Sequence, residues 1–228
     1  MRLNEKVTID GKDVDVWPEG QEVRALDEKG LVLRTDFDDA DVLDAGLRLE
    51  IEARLADPKV RAQRSRSLGG NKLYRLETWE SLAAKILNAR ACELFKRAVK
   101  AEKAVIDMGW ANIYGDGDYI MAHSHIRSQG SVLYMLDEGE SDPDDKLAGA
   151  FGIIDPRYPP CCKIAQHYMT NPFCPILSAG SMLVFPSSLV HGVNPYRGKR
   201  PRITFSWNIN QAKLEGDTLE MLRQGDVG

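Results

Sequence analysis

Apolar residues four apart mark the first clear element of the chain: Leu43, Leu47, Ile51 and Leu55, introduced by Val42, predict a helix. A run of acids, Asp36, Asp38, Asp39, Asp41 and Asp44, leads into it. Negative side chains complement the positive end of a helix dipole, so the run reads as a helix N-terminus rather than as a metal-binding acidic cluster. A longer helix is predicted from about Glu77 to Lys103, with Leu82, Ile86, Ala89, Leu94, Ala98 and Val99 as its buried stripe. Ahead of these helices, short β-like stretches (Val14 and Val16; Leu31 to Leu33) alternate with turns. Residues 58–70 carry Lys59, Arg61, Arg64 and Arg66 before Gly69-Gly70, and read as a solvated loop.

After Val105 the period changes. Short β-rich stretches alternate with Gly, Pro and Asp turns over 105–114, 117–125, 130–136, 150–154, 163–169, 181–185, 189–193 and 202–209. Short strands at such spacing predict a sandwich or jelly roll. Helices first and strands later is an α+β order, with the helices backing one sheet. The acidic stretch 137–145 reads as an exposed hairpin loop. Asp155-Pro156-Arg157 reads as a turn closed by an ion pair. The expected organisation is one domain over 1–228: a helical N-terminal part at 1–104, a jelly-roll core at 105–210 and a tail at 211–228.

Composition agrees with a filled core, since 43% of the 228 residues are hydrophobic and 28% charged. A formal net charge of −4 gives a nucleic-acid partner no global electrostatic support. No apolar run reaches the roughly 18 residues of a membrane span, and Met1 to Lys6 lacks the apolar segment of a secretory signal. Cys92, Cys161, Cys162 and Cys174 contain no Cys-x-x-Cys and read as reduced thiols in a cytoplasm. A zinc site built from Cys161, Cys162, His167 and Cys174 would match no common knuckle spacing.

Histidine is scarce, with four in the chain, and three of them stand in two telling places. His123-Ser124-His125 lies on a predicted strand, where alternation puts both imidazoles on one face, roughly 7 Å apart along the backbone. His191 follows the apolar Phe185-Pro186 stretch. A strand-borne pair with one distant histidine makes a facial triad for a metal ion with open coordination positions. Arg202 comes eleven residues after His191, and Arg202-Ile203-Thr204 opens the last strand. There an arginine and a threonine share a face, and a guanidinium fork beside a hydroxyl clamps a carboxylate.

From Trp110 to Asn210 the sequence resembles the Fe(II)/2-oxoglutarate-dependent oxygenase superfamily, specifically a bacterial and phage group with a His-x-His motif. Trp110-Ala111-Asn112, Gly115 to Tyr119, His123-Ser124-His125, Ser131 to Leu136, Phe151 to Arg157, Gly180 to Tyr196 and Arg202 to Asn208 carry the resemblance in order. It implies a double-stranded β-helix, a jelly-roll or cupin-like barrel, backed by the N-terminal helices. It implies Fe(II), 2-oxoglutarate and O2 as cofactors, with His123, His125 and His191 as the metal ligands and catalytic centre. Arg202 and Thr204 would hold the distal carboxylate of 2-oxoglutarate together with the Tyr134 hydroxyl, and Asn112 and Asn208 would hydrogen-bond near the metal. Strand parity, apart from the resemblance, would bring Arg127 to the face of His123 and His125 if the strand runs that far, where it would meet an anionic substrate; a surface arginine is the preferred reading. The expected reaction is hydroxylation of a small polar metabolite, with decarboxylation of 2-oxoglutarate to succinate. His125 stands where the superfamily usually carries a carboxylate ligand.

Two other readings share the barrel. A cupin-type three-histidine iron dioxygenase would need no 2-oxoglutarate; Gly117 followed by five residues and then His-x-His, and Pro186 five before His191, fit its motifs. The acidic ligand of that family is missing, with Gln129 near its place, and a cupin has no use for Arg202 and Thr204. A non-catalytic jelly-roll binding module has no need of three convergent histidines.

Overall fold

A computed structural model describes residues 1–57, 63–64, 70–162 and 171–213. The chain runs β1 (Lys6–Ile9), β2 (Lys12–Asp15), β3 (Arg24–Ala25), β4 (Leu33–Asp36), α1 (Ala40–Ala56), β5 (Gln63–Arg64) and β6 (Asn71–Tyr74). It continues with α2 (Leu82–Val99), β7 (Val105–Tyr114), β8 (Ile120–His123), β9 (Gly130–Asp137), β10 (Phe151–Ile153), β11 (Ser181–Pro186), β12 (His191–Val193) and β13 (Arg202–Asn210). The expected stretch 163–169 lies outside the described residues.

The first predicted helix is α1, which buries Leu43, Leu47 and Ile51. Its acids are divided among three tasks. Asp36 pairs with Arg34 and Arg24, Asp39 accepts from the fully buried Arg90, and Asp44 turns inward. The second helix is shorter than its expected span. Leu76–Thr78 forms a separate 3-10 turn, the Ser81 hydroxyl caps α2 by accepting from the Ala84 amide, and left-handed Lys100 ends it. Its buried stripe is Ala83, Ile86, Leu87, Ala91 and Leu94, while Leu82 and Val99 are exposed.

Eleven of the strands form two sheets, in the orders β3-β4-β11-β9-β13-β7-β6-β5 and β10-β12-β8, and every pairing is antiparallel. Among the described residues no ladder joins the two sheets, so the expected barrel is realised as a large sheet facing a small one. The stretch 137–145 is a crossover rather than a hairpin, because β9 belongs to the large sheet and β10 to the small one. Asp137 at its start is buried and paired with Arg48 and Arg200, not exposed.

The N-terminal part is less purely helical than expected. β3 and β4 extend the large sheet beyond β11, and β6 and β5 extend it beyond β7. Both faces of that sheet are covered, and side-chain alternation divides them. Ile203, Phe205, Trp207 and Ile209 of β13 join Val132, Tyr134, Leu136, Met182 and Val184 in a core shared with α1 and α2. On the other face Tyr114, Leu133, Leu183 and Phe185 pack with Ile120, Phe151, Ile153 and Val193 of the small sheet. Arg202, Thr204, Ser206 and Asn208 alternate with the first set and so face the small sheet.

Candidate metal centre

His123 and His191 are direct partners across the β8–β12 ladder, with ring centroids 4.5 Å apart. Gly192 lets the two strands approach, because a Cβ there would meet the Ile120 carbonyl oxygen at 2.8 Å. β8 ends at His123, so it is shorter than the expected strand 117–125 and His125 lies just past it. The His125 amide donates to the Ser187 carbonyl at 2.9 Å, and its ring still closes on the other two, at 5.0 Å and 5.2 Å between centroids. One ligand atom from each of the three histidines lies within 4.8 Å of the others.

The backbone orients two of the rings. Nδ1 of His123 lies 2.9 Å from the Met121 carbonyl and Nδ1 of His191 lies 2.8 Å from the Leu189 carbonyl. A carbonyl accepts only, so each Nδ1 carries the proton and each Nε2 keeps its lone pair. Nδ1 of His125 faces the Asn208 side-chain amide at 3.5 Å, and Ser131 donates to that amide's oxygen at 3.4 Å. Burial lowers all three pKa values, and neighbouring histidines lower two of them further: His125 falls to about 2 and His191 to about 3. The rings are therefore neutral at ordinary pH, the form that ligates a metal. Three neutral imidazole nitrogens suit a divalent first-row ion, so the donor set fits Fe(II).

The loop entering His191 is clamped by the predicted Asp155–Arg157 turn. Buried Asp155 accepts from the Val190 amide at 2.9 Å and pairs with Arg157, which donates onward to the Ser188 carbonyl at 2.6 Å. These bonds hold the Asp155 carboxyl well below the usual carboxylate range, the Arg157 guanidinium contributing most.

Arg202 is 2% exposed, and its Nη1 has no hydrogen-bond partner. Its guanidinium carbon stands 5.1 Å from the centre of the Tyr114 ring, and the Tyr114 hydroxyl interacts with both Arg202 and Thr204. Asn112 donates to Thr204 and Ser206, each at 3.2 Å, and accepts from the Trp110 indole at 3.0 Å. Arg202, Thr204, Asn112 and Asn208 thus stand on the inner face of the large sheet, the three histidines meeting them from the small-sheet side.

Two expected residues are elsewhere. Tyr134 pairs in register with Phe205 and points with it to the helix side, where its hydroxyl donates to Asp44 at 2.8 Å. It sits on the wrong face of the sheet for the Arg202 site. Arg127 lies beyond the end of β8, so the parity that linked it to the histidines does not hold. It is half-buried, its carbonyl accepts from Asn210, and it does not line the cleft beside the histidines. That cleft has a volume of about 40 Å³; Asn112 and Asn208 line it, Arg202 and Thr204 do not, and its walls include three residues with no expected role: Lys72, Trp110 and Tyr114. Tyr114 and Trp110 share the parity of Asn112 on β7, which was the available signal; nothing in the polar stretch around Lys72 offered one.

Residues 108–208 match a family model described as "Putative 2OG-Fe(II) oxygenase", as the resemblance to that group implies. No curated protein sequence matches the chain. Among solved structures it is similar to a Pseudomonas putida prolyl-4-hydroxylase, with 18% identity, TM-score 0.54, and 85% of this chain and 94% of the other covered. It is also similar to SnoK, a non-haem alpha-ketoglutarate-dependent carbocyclase from nogalamycin biosynthesis, with 7% identity, TM-score 0.64, and 87% of each chain covered. EctD from S. alaskensis, solved with 2-oxoglutarate and 5-hydroxyectoine, matches at 15% identity and TM-score 0.55, over 79% of this chain and 72% of the other. At these identities the likeness is one of fold, and the fold is the double-stranded β-helix of 2-oxoglutarate oxygenases. No helix among the described residues is long and apolar enough to cross a membrane.

Proposed function

We propose that this chain is a non-haem Fe(II)- and 2-oxoglutarate-dependent oxygenase that hydroxylates a small polar metabolite. Family match and fold support the oxygenase class, which implies Fe(II), 2-oxoglutarate and O2. The observation that carries the site assignment is a juxtaposition. Three neutral imidazoles converge within 4.8 Å beside a sheet face that also holds a buried guanidinium with an unpartnered Nη1.

In this reading His123, His125 and His191 hold the iron. Bound iron supplies the activation of O2 that is coupled to oxidative decarboxylation of 2-oxoglutarate to succinate and CO2. The carbonyls of Met121 and Leu189 fix two of the imidazoles by accepting from Nδ1. With no carboxylate among the ligands, the charge of the ion is left uncompensated by the protein, which favours an anionic cosubstrate. Arg202 donates to the distal carboxylate of 2-oxoglutarate, assisted by the Thr204 and Tyr114 hydroxyls. Phe151 and Phe185, whose rings lie 5.8 Å and 4.8 Å from the His191 ring, exclude water. A cupin-type dioxygenase or a silent binding module would leave the burial of Arg202 unexplained, since an unpaired buried charge is costly until its partner arrives.

The test is anaerobic titration of the Fe(II) protein with 2-oxoglutarate, following the metal-to-ligand absorption of the chelate. Wild type should develop the band, and His123→Ala and His191→Ala should lose the metal. Charge-assisted hydrogen bonds contribute on the order of 1.5–3 kcal/mol each, and about 1.4 kcal/mol is a decade in affinity. Arg202→Ala should therefore bind 2-oxoglutarate at least tenfold more weakly with iron retained, and Arg202→Lys should recover part of the loss. A wild type that shows no band at millimolar 2-oxoglutarate would hand the assignment to the cupin.

A further inference from the structure

We propose that Lys72 anchors an anionic group, a carboxylate or phosphate, on the primary substrate, so that the enzyme oxidises an anion. This rests on the oxygenase reading and adds a substrate class to it.

The placement comes from the ladder. Lys72 on β6 is paired with Asn112 on β7, and Asn112 with Thr204 on β13, so the three form one row across the large sheet. Paired residues project to the same side, and that side is the inner face. Lys72 Nζ stands 5.5 Å from the centre of the Trp110 ring, and that ring lies 6.0 Å from the ring of His125. Lys72 lines the cleft that the histidines line.

The second observation is electrostatic. Among the described residues no carboxylate pairs with Lys72. Burial alone lowers its pKa, to about 8, and no neighbouring anion opposes the shift. The histidines facing it are neutral and supply no counter-charge. A desolvated ammonium that faces an aromatic ring but no carboxylate among the described residues favours whatever anion enters beside it. A lysine stem is long enough to carry its charge out to water, so the inward placement calls for a reason.

The cosubstrate does not provide that reason. Its distal carboxylate is taken by Arg202 and its other end by the metal, which leaves neither for Lys72. The strands that carry the two cations are separated by β7, so their backbones lie roughly 10 Å apart at about 4.8 Å per strand, and Arg202 is offset by two residues along β13 from the row of Lys72. A second anion therefore has its own place in the cleft. A planar guanidinium suits one fixed carboxylate, whereas an ammonium is a compact charge that accepts either anion class.

The probes are inorganic phosphate and acetate, titrated calorimetrically into the Zn(II)-substituted protein saturated with 2-oxoglutarate, which cannot turn over. Wild type should bind at least one of them, and which one names the anion class. Lys72→Met should weaken that binding at least tenfold, with zinc content, thermal midpoint and 2-oxoglutarate affinity held, and Lys72→Arg should restore most of it. Equal binding by wild type and Lys72→Met, or no binding of either probe by wild type, overturns the proposal. So does a tenfold loss of 2-oxoglutarate affinity in Lys72→Met, which would assign the lysine to the cosubstrate. Should wild type fail to bind 2-oxoglutarate, the oxygenase reading falls, while the anion titration without cosubstrate still reads Lys72 on its own.

Discussion

At the scale of single residues, parity along a strand decides which side chains can cooperate. Arg202, Thr204 and Asn208 alternate along β13 and reach one face, and Tyr114 reaches the same face because it is paired with Arg202. Tyr134 is paired with Phe205 and reaches the opposite one. Tyr114→Phe should therefore weaken 2-oxoglutarate binding several-fold, because the hydroxyl beside Arg202 is lost. Tyr134→Phe should leave that affinity unchanged and cost stability instead, about 1 kcal/mol for a hydrogen bond removed from a buried acceptor. Cosubstrate titration and thermal melting of the two variants check this; a weakened cosubstrate site in Tyr134→Phe would sink the assignment. The histidine trio and Arg202 were legible because each rests on a short local spacing or on rarity in the chain. Tyr134 was misplaced because its face depends on the register between β9 and β13, a relation between distant segments that no local pattern carries. Lys72 was illegible for the same reason: its inward direction is set by pairing with β7.

Among the elements, the helices and the strands from β7 onward were readable, β4 was touched only at its start by the Leu31 to Leu33 stretch, and β6 was not readable. β7 and β13 carry long alternating patterns, whereas β4 (Leu33-Arg34-Thr35-Asp36) and β6 (Asn71-Lys72-Leu73-Tyr74) are short and mostly polar, and exist because β11 and β7 offer them ladders. The seating of α1 on the sheet has a pH signature. Burial raises the Asp44 carboxyl from 3.8 to about 7, although the Tyr134 hydroxyl and Arg48 act against the shift. Between these values the folded protein holds a proton that the unfolded chain has released, so stability falls as pH rises through this window and levels off above it. Asp44→Asn keeps an acceptor for Tyr134 and removes the titration. It should melt higher than wild type at pH 8, by several degrees for roughly 1–3 kcal/mol in a chain of this size, and the gap should narrow at pH 5. A gap of equal size at both pH values would show that Asp44 does not titrate as its burial implies.

For the whole molecule, the question is whether the segment that carries the family pattern is a folding unit. Residues 108–208 match the family, yet one face of their sheet is built against the N-terminal half. Phe205, Trp207, Ile209, Val132 and Val184 share a single core with Leu43, Leu47 and Ile51 of α1 and Ile86, Leu87, Ala91 and Leu94 of α2. Arg90 ties that half together, fully buried and donating to Asp39 and to the carbonyls of Asp15 and Val16. Removing residues 1–104 would expose this apolar face and leave β11 and β7 as bare edges where β4 and β6 now pair. Each large apolar side chain returned to water costs on the order of 1.5–3 kcal/mol, so the five sheet residues named together cost about as much as the whole net stability of a domain. A fragment of residues 105–213 should therefore aggregate, or remain soluble without a cooperative thermal transition, and should bind zinc far more weakly than the full chain. Supplying residues 1–104 as a separate chain during refolding should recover part of the soluble, metal-binding material. If the fragment alone melts cooperatively within a few degrees of the full chain, the N-terminal half is an accessory layer, and the edge strands and helices are dispensable to the metal centre.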